Sequence, residues 1–250
     1  MARPPISKPE AARRLAGLVG SLERHLESLR EDGVEAVELR VRKKPLKAAP
    51  PAARPAVPVK PAASRPPSSG ESAEARLQAV ARAVAGCRKC RLHEKRSLTV
   101  PGQGALQPDI LFVGEGPGEE EDKQGLAFVG RAGQLLTRLI IRMGYARDTV
   151  FIANVVKCRP PGNRKPQRDE MAACLPYLKA QVAALSPRVI VALGATALEG
   201  LVPGADRITR ARGSWLTFEG IPMMPTFHPA YLLRNPPAMW DVWHDMEKVL

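Results

Sequence analysis

Asp109-Ile-Leu-Phe-Val-Gly-Glu-Gly-Pro-Gly118 sets the reading of the fold. Its first half is a short apolar run closed by Gly114, the profile of a strand buried on both faces of a parallel sheet. Downstream, Gly130 to Met143 reads as a helix closed by Gly144, Val150 to Val156 as a strand, and Arg168 to Leu185 as a long helix. Val189 to Leu193 is a third strand, followed by a helix over Ala195 to Leu201. Trp215 to Phe218 and Ile221 to Pro225 pair across Glu219-Gly220 as a hairpin or add a further strand. Strands alternating with helices at this spacing predict an α/β fold: three α/β/α layers around a central, mostly parallel four-stranded sheet. Ligands of such sheets sit outside the carboxyl ends of the strands. That rule points to Gly114–Gly118, Asn154–Cys158 and the loop around His228.

Upstream the chain changes character. Glu71 to Ala85 reads as a helix leading into Cys87-Arg-Lys-Cys90. Eight of the 25 prolines fall between Pro45 and Pro67, among Ala, Arg, Lys and Ser. Residues 43–70 are therefore expected to be a disordered linker, since they bury too little apolar surface to offset their ordering entropy. Residues 1–42 form an N-terminal segment in which Leu15, Leu18, Leu22, Leu26 and Leu29 mark a modest amphipathic helix over Pro9–Arg30. One reading of this tail is a docking element for a replication or repair partner; a partly formed surface helix is preferred, because an isolated helix of this length is marginal in water. Residues 71–250 are expected to form the folded domain, acting as a monomer.

The formal net charge is +13, and after Ala75 there are 24 Lys and Arg against 16 Asp and Glu. The folded part is thus basic in its own right, which suits a polyanionic partner. No apolar run reaches the 18 or so residues that a membrane span needs. The first ten residues lack a signal peptide's apolar core, so a cytoplasmic, nucleoid-associated protein with reduced thiols is expected.

Cys87, Cys90, Cys158 and Cys174 are the four cysteines. The first two form a C-x-x-C at a helix end. Cys158 follows the second strand, and Cys174 lies on the helix after it. If that helix folds back over the strand end, all four thiolates converge. Four soft thiolates select zinc or an iron–sulfur cluster. Zinc is the weaker choice, because a ribbon repeats its C-x-x-C whereas fifteen residues lie between Cys158 and Cys174.

The loop Gly114-Glu-Gly-Pro-Gly118 brings backbone amides close to a ligand. The acidic run Glu119-Glu-Glu-Asp122 would repel a pyrophosphate, so a neutral base fits better than a nucleotide cofactor. Phe128, in a loop between two glycines, is placed to stack on such a base. Asn154, mid-strand among apolar residues, carries an amide able to read a pyrimidine edge. Pro229 forces extended backbone at His228, holding its imidazole at a strand end. Leu232-Leu233-Arg234, bracketed by prolines, reads as a stiff wedge that enters a duplex and holds its phosphates.

Together these segments resemble the family-4 uracil-DNA glycosylases, the iron–sulfur branch of their superfamily. Five pieces carry the resemblance in the family's order and spacing: Cys87–Cys90, Gly114–Asp122, Phe128–Gly133, Asn154–Pro161 and His228–Pro236. The resemblance covers roughly Leu77 to the end of the chain. It implies a 4Fe-4S cluster on Cys87, Cys90, Cys158 and Cys174, and removal of uracil from single- or double-stranded DNA to start base excision repair. It further implies that His228 stabilises charge on the departing base with the amides of Glu115 and Gly116. Phe128 would stack on the uracil, Asn154 would read its edge, and Pro117 would line the same pocket. Glu115 and Glu121 are the candidates for positioning water, with Asn163 as a helper.

Two other readings compete. One is a relative that traps uracil-DNA covalently through a histidine in a basic insert. Here Pro160-Pro-Gly-Asn-Arg-Lys-Pro-Gln-Arg-Asp169 holds neither histidine nor insert, so turnover is preferred. The other is a zinc-stabilised nucleic-acid scaffold without catalysis.

Overall fold

A computed structural model of the chain describes residues 72–250. The amphipathic segment Pro9–Arg30 and the linker 43–70 lie outside the described residues.

The chain begins with α1 (Ala73–Ala85), capped by the Ser72 hydroxyl, which accepts from the Ala75 amide at 3.1 Å. Then follow β1 (Gln103–Gly104), β2 (Ile110–Gly114), α2 (Glu119–Gln124), α3 (Arg131–Arg142), β3 (Phe151–Asn154) and α4 (Arg168–Leu185). The second half adds β4 (Val189–Leu193), α5 (Ala195–Leu201), α6 (Ile208–Ala211), β5 (Leu216–Phe218), β6 (Ile221–Thr226), α7 (Pro229–Leu232) and α8 (Met239–Glu247).

Six strands form one sheet in the order β1-β3-β2-β4-β6-β5. The four expected parallel strands, β3-β2-β4-β6, are its centre. Two short antiparallel edges extend it. β5 joins β6 as the hairpin expected across Glu219-Gly220, and β1 pairs with β3. Two residues of Pro101-Gly-Gln-Gly104 are too few for an alternating pattern, so β1 leaves no periodic signal.

Side chains of the central strands alternate between two cores. Leu111, Val113, Ile190, Ala192 and Met223 face α4 and α5, through Met171, Leu178, Val182, Ala197 and Leu198. Ile110, Phe112, Ile152, Val191 and Leu193 face α3 and α8, through Leu135, Leu136, Leu139, Val242 and Met246. Both faces are dry, which explains why these strands read as unbroken apolar runs. Each fully buried Leu, Ile or Phe contributes about 1.5–3 kcal/mol.

From β2 the chain goes outward to β3, then returns to the other side of β2 as β4. Such a reversal opens a crevice at the carboxyl ends of the strands. The segments leaving β2, β3 and β6 meet there.

Candidate active site and cysteine cavity

A pocket of about 220 Å³, open to solvent at its mouth, lies at these strand ends. Glu115, Gly116, Pro117, Glu121, Phe128, Asn154, Asn163 and His228 all line it. The structure thereby brings together, from four separate segments, every residue that the sequence assigns to catalysis or to base binding.

Asn154 ends β3 and is 1% exposed. Its Oδ1 is buried and finds no hydrogen-bond partner among the described residues. An unpaired buried amide oxygen costs about 1–3 kcal/mol, so its retention at a pocket wall marks a place for a ligand donor. Beside it, Gly114 is required: a Cβ there would collide with the Phe128 ring and with Asn154 Oδ1.

Phe128 is buried and holds φ +54°, in the left-handed region that non-glycine residues avoid. Its neighbours fix this conformation. Arg147 donates to the carbonyls of Ala127 at 2.6 Å and Phe128 at 3.0 Å. The Glu121 carboxylate accepts from the amides of Val129 and Gly130, both at 2.9 Å. Its other oxygen accepts from the Gly118 amide at 3.1 Å. The sequence assigns Glu121 to water. In the fold, three amides engage its carboxylate, which ties the glycine loop to the Phe128 loop and caps α2. Glu115 lines the pocket without that engagement.

His228 has the extended backbone its proline dictates, φ −71° and ψ 140°, and N-caps α7. Its Nδ1 accepts from the Ala230 amide at 3.1 Å, so a neutral ring carries its proton on Nε2. Burial, aided by the nearby Arg234 charge and opposed by Glu121, pushes the imidazole down to about pKa 4. The ring stands 5.6 Å from that of Phe128. Asn163, also at positive φ, accepts from Arg159 Nε at 2.8 Å.

The wedge reading of Leu232-Leu233-Arg234 needs correction in part. Leu232 is 2% exposed, packed in the core beneath α3 and α8. Pro229 stands at the first position of α7, and one helical turn carries Leu232 inward. Leu233 and Arg234 remain exposed.

The four cysteines line a second, tight pocket between α1, α4 and the end of β3. Among the described residues no three His, Cys, Asp or Glu side chains lie close enough to share one metal ion. The four thiols line one pocket, and four thiolates are the donor set of a polynuclear cluster taking one thiolate per iron. Arg96 donates to Cys158 Sγ at 3.1 Å, and the Lys157 amide to Cys174 Sγ at 3.3 Å. Burial pushes the Cys174 thiol up to about 11, against the lowering effect of the neighbouring Lys157 charge and amide. This donor set fits an iron–sulfur cluster. Lys157 itself is fully buried, its Nζ donating to Asn154 O at 2.8 Å and Gln181 Oε1 at 2.6 Å.

A family model described as the uracil DNA glycosylase superfamily matches residues 101–247. The chain belongs to that superfamily. It is 53% identical over 163 residues to a Type-4 uracil-DNA glycosylase of Thermotoga maritima, covering 64% of this chain and 84% of that protein. A Type-4 uracil-DNA glycosylase of Sulfurisphaera tokodaii is 43% identical over 182 residues, 69% of this chain and 83% of that one. A Type-5 uracil-DNA glycosylase of Pyrobaculum aerophilum is 29% identical over 153 residues, 54% of this chain and 67% of that one.

For a member of the uracil-DNA glycosylase superfamily, the supporting residues are as informative as the pocket wall. Arg147, Asp122, whose carboxylate accepts from the Ser97 amide at 3.0 Å, and Lys157 all escape the sequence reading. Their bonds to Phe128, Ser97 and Gln181 cross 19 to 25 residues of sequence, and nothing local sets these residues apart from ordinary surface charges. Among the described residues, no helix is long and apolar enough to cross a membrane.

Proposed function

We propose that the chain flips uracil out of DNA and hydrolyses its N-glycosidic bond, leaving an abasic site for base excision repair. The observation that carries this reading is the buried, unpartnered Asn154 Oδ1 at a pocket wall shared with Phe128 and His228. Uracil supplies what that oxygen lacks: its N3–H donates to Oδ1, and its O4 accepts from the same amide group. Phe128 stacks on the ring. Flipping costs a few kcal/mol, least at a mismatch.

The bond between N1 and C1′ breaks with its electron pair leaving on uracil, largely at O2, while the sugar becomes an oxocarbenium ion. His228 donates Nε2–H to O2, and the Glu115 and Gly116 amides add to that stabilisation. A neutral imidazole suits this role, because it stabilises the anion without being consumed as an acid. Water adds its oxygen to C1′ and its proton passes to the departing base. Glu115 and Asn163 are the groups we assign to orienting that water. Leu233 and Arg234 are assigned to the DNA, with the basic surface drawing in the phosphates.

A 4Fe-4S cluster on Cys87, Cys90, Cys158 and Cys174 would cross-link α1, β3 and α4 and thereby hold the Asn154 strand end. The active unit is expected to be a monomer. Single-turnover uracil release by Asn154→Ala and His228→Ala tests these roles. Losing the base-edge contact should cost about 1–3 kcal/mol, and losing the oxyanion donor about 10²–10³-fold in rate. Wild-type rates in both variants would remove the assignment.

A further inference from the structure

We infer that Thr226, Asp245 and Arg212 are positioning residues for His228, a role that rests on the leaving-group assignment above. None of the three lines the pocket. They form a buried polar knot at the root of the segment that carries the imidazole. Thr226 is the last residue of β6, fully buried, and its hydroxyl donates to Asp245 Oδ2 at 2.6 Å. Asp245, on α8 and 1% exposed, receives the guanidinium of Arg212 as a fork: Nε to Oδ2 at 3.0 Å and Nη2 to Oδ1 at 2.8 Å. Arg212 also donates to the Asp241 carbonyl.

The same guanidinium covers the ring of Phe227, its Cζ 5.3 Å from the centroid, and Phe227 packs on Tyr231 at 4.9 Å. Both residues that immediately precede His228 are therefore held by one ion pair, Thr226 through Asp245 and Phe227 through Arg212. Opposite them, the Gly194 amide donates to the Thr226 carbonyl at 2.8 Å. The backbone around Arg212 is shaped for this contact. Gly213 sits at φ +72°, where a Cβ would stand 2.6 Å from Asp245 Oδ1, and its amide donates to the Pro225 carbonyl at 3.1 Å.

A paired, fully hydrogen-bonded charge cluster adds little net stability over an apolar replacement, but it has only one geometry. His228 must place Nε2 within about 2.7–3.1 Å of an oxyanion, and a misplacement of about 1 Å costs up to 10²-fold in rate. The knot supplies that constraint from outside the pocket.

The test is a double-mutant cycle on single-turnover uracil release, using Thr226→Val and His228→Ala singly and together. Val keeps the shape of Thr226 and removes only its hydroxyl. We expect Thr226→Val to slow release about 10-fold with little change in KM. In the His228→Ala background it should cost nothing further, because it acts through the imidazole. Arg212→Lys, which keeps the charge but loses the fork, should behave in the same way, and circular dichroism checks that each variant is folded. Additive losses in the cycle, or a folded Thr226→Val and Arg212→Lys at wild-type rate, would overturn the inference while leaving His228 in its role. Full activity in His228→Ala would overturn both.

Discussion

Burial around His228 governs its proton, and the pKa shift makes a sharp expectation. Its folded pKa, near 4, lies below the ordinary value of 6.5 because desolvation opposes charging, with Arg234 adding to the effect. The neutral ring therefore contributes stability in full above about pH 6.5, and that contribution is lost as pH falls through the window toward 4. Uracil release should accordingly show no inflection from this histidine between pH 6 and 8. Following the His228 ring resonances by NMR against pH should give a midpoint near 4; a midpoint near 6.5 would mean an exposed, readily charged ring. At this scale the sequence is informative wherever a residue is out of place for its surroundings. Asn154 among apolar neighbours and His228 before proline are of that kind. It is silent on Arg147 and Asp245, whose partners lie 10 to 20 and 19 to 33 residues away in the chain. The carboxylate of Glu121 lines the pocket as its residue type suggests, and its three backbone amides add work in the architecture that no local signal announces.

Helix and strand boundaries follow the apolar periodicity closely where both sheet faces are covered. Arg168–Leu185, Val189–Leu193 and Ala195–Leu201 all fold over the residues expected for them. Short elements held by end effects are harder to read. The acidic run Glu119–Asp122 opens α2, where carboxylates complement the helix N-terminus; read as a solvated charge run, it hides a helix. Likewise Pro229 signals a helix start at the first position, which turns Leu232 into a core anchor. The N-terminus of α4 offers a test of how such ends are secured. Glu170 is fully buried, accepting from Arg164 at 2.7 and 2.8 Å and from the Gln167 amide at 2.8 Å. The Arg164 bonds hold its pKa below the ordinary value, against burial, so its contribution is present above about pH 4.5 and is lost as pH falls through the lower folded value. Glu170→Gln should cost about 1–3 kcal/mol at pH 7, measured by urea unfolding, and the deficit should shrink below pH 4.5. A deficit unchanged with pH would show that the carboxylate's charge is not what secures the helix end.

For the whole molecule, two faces of one sheet are stitched differently. One core is closed by α3 and α8 through apolar contact. The other carries the cysteine cavity at its margin, where α1, α4 and the end of β3 meet. Binding of the proposed cluster would be coupled to folding, because its ligands converge only in the native state. Cys158→Ala should therefore lose the visible absorbance near 400 nm together with thermal stability and uracil release. Retention of the full melting temperature without the colour would separate the metal from the fold. The parallel sheet and the pocket at its strand ends are legible from strand–helix alternation alone. The convergence of Cys87 and Cys90 with Cys158 and Cys174 is not, since it depends on α4 folding back over β3.

The central claim is turnover on uracil in DNA, and the direct measurement uses the full chain in substoichiometric amount against a labelled oligonucleotide carrying one uracil. Alkali-labile cleavage at that position over many turnovers, with free uracil released, is the expected result. A stable protein–DNA adduct without turnover, or no reaction at all with a protein that retains its cluster absorbance, would contradict it.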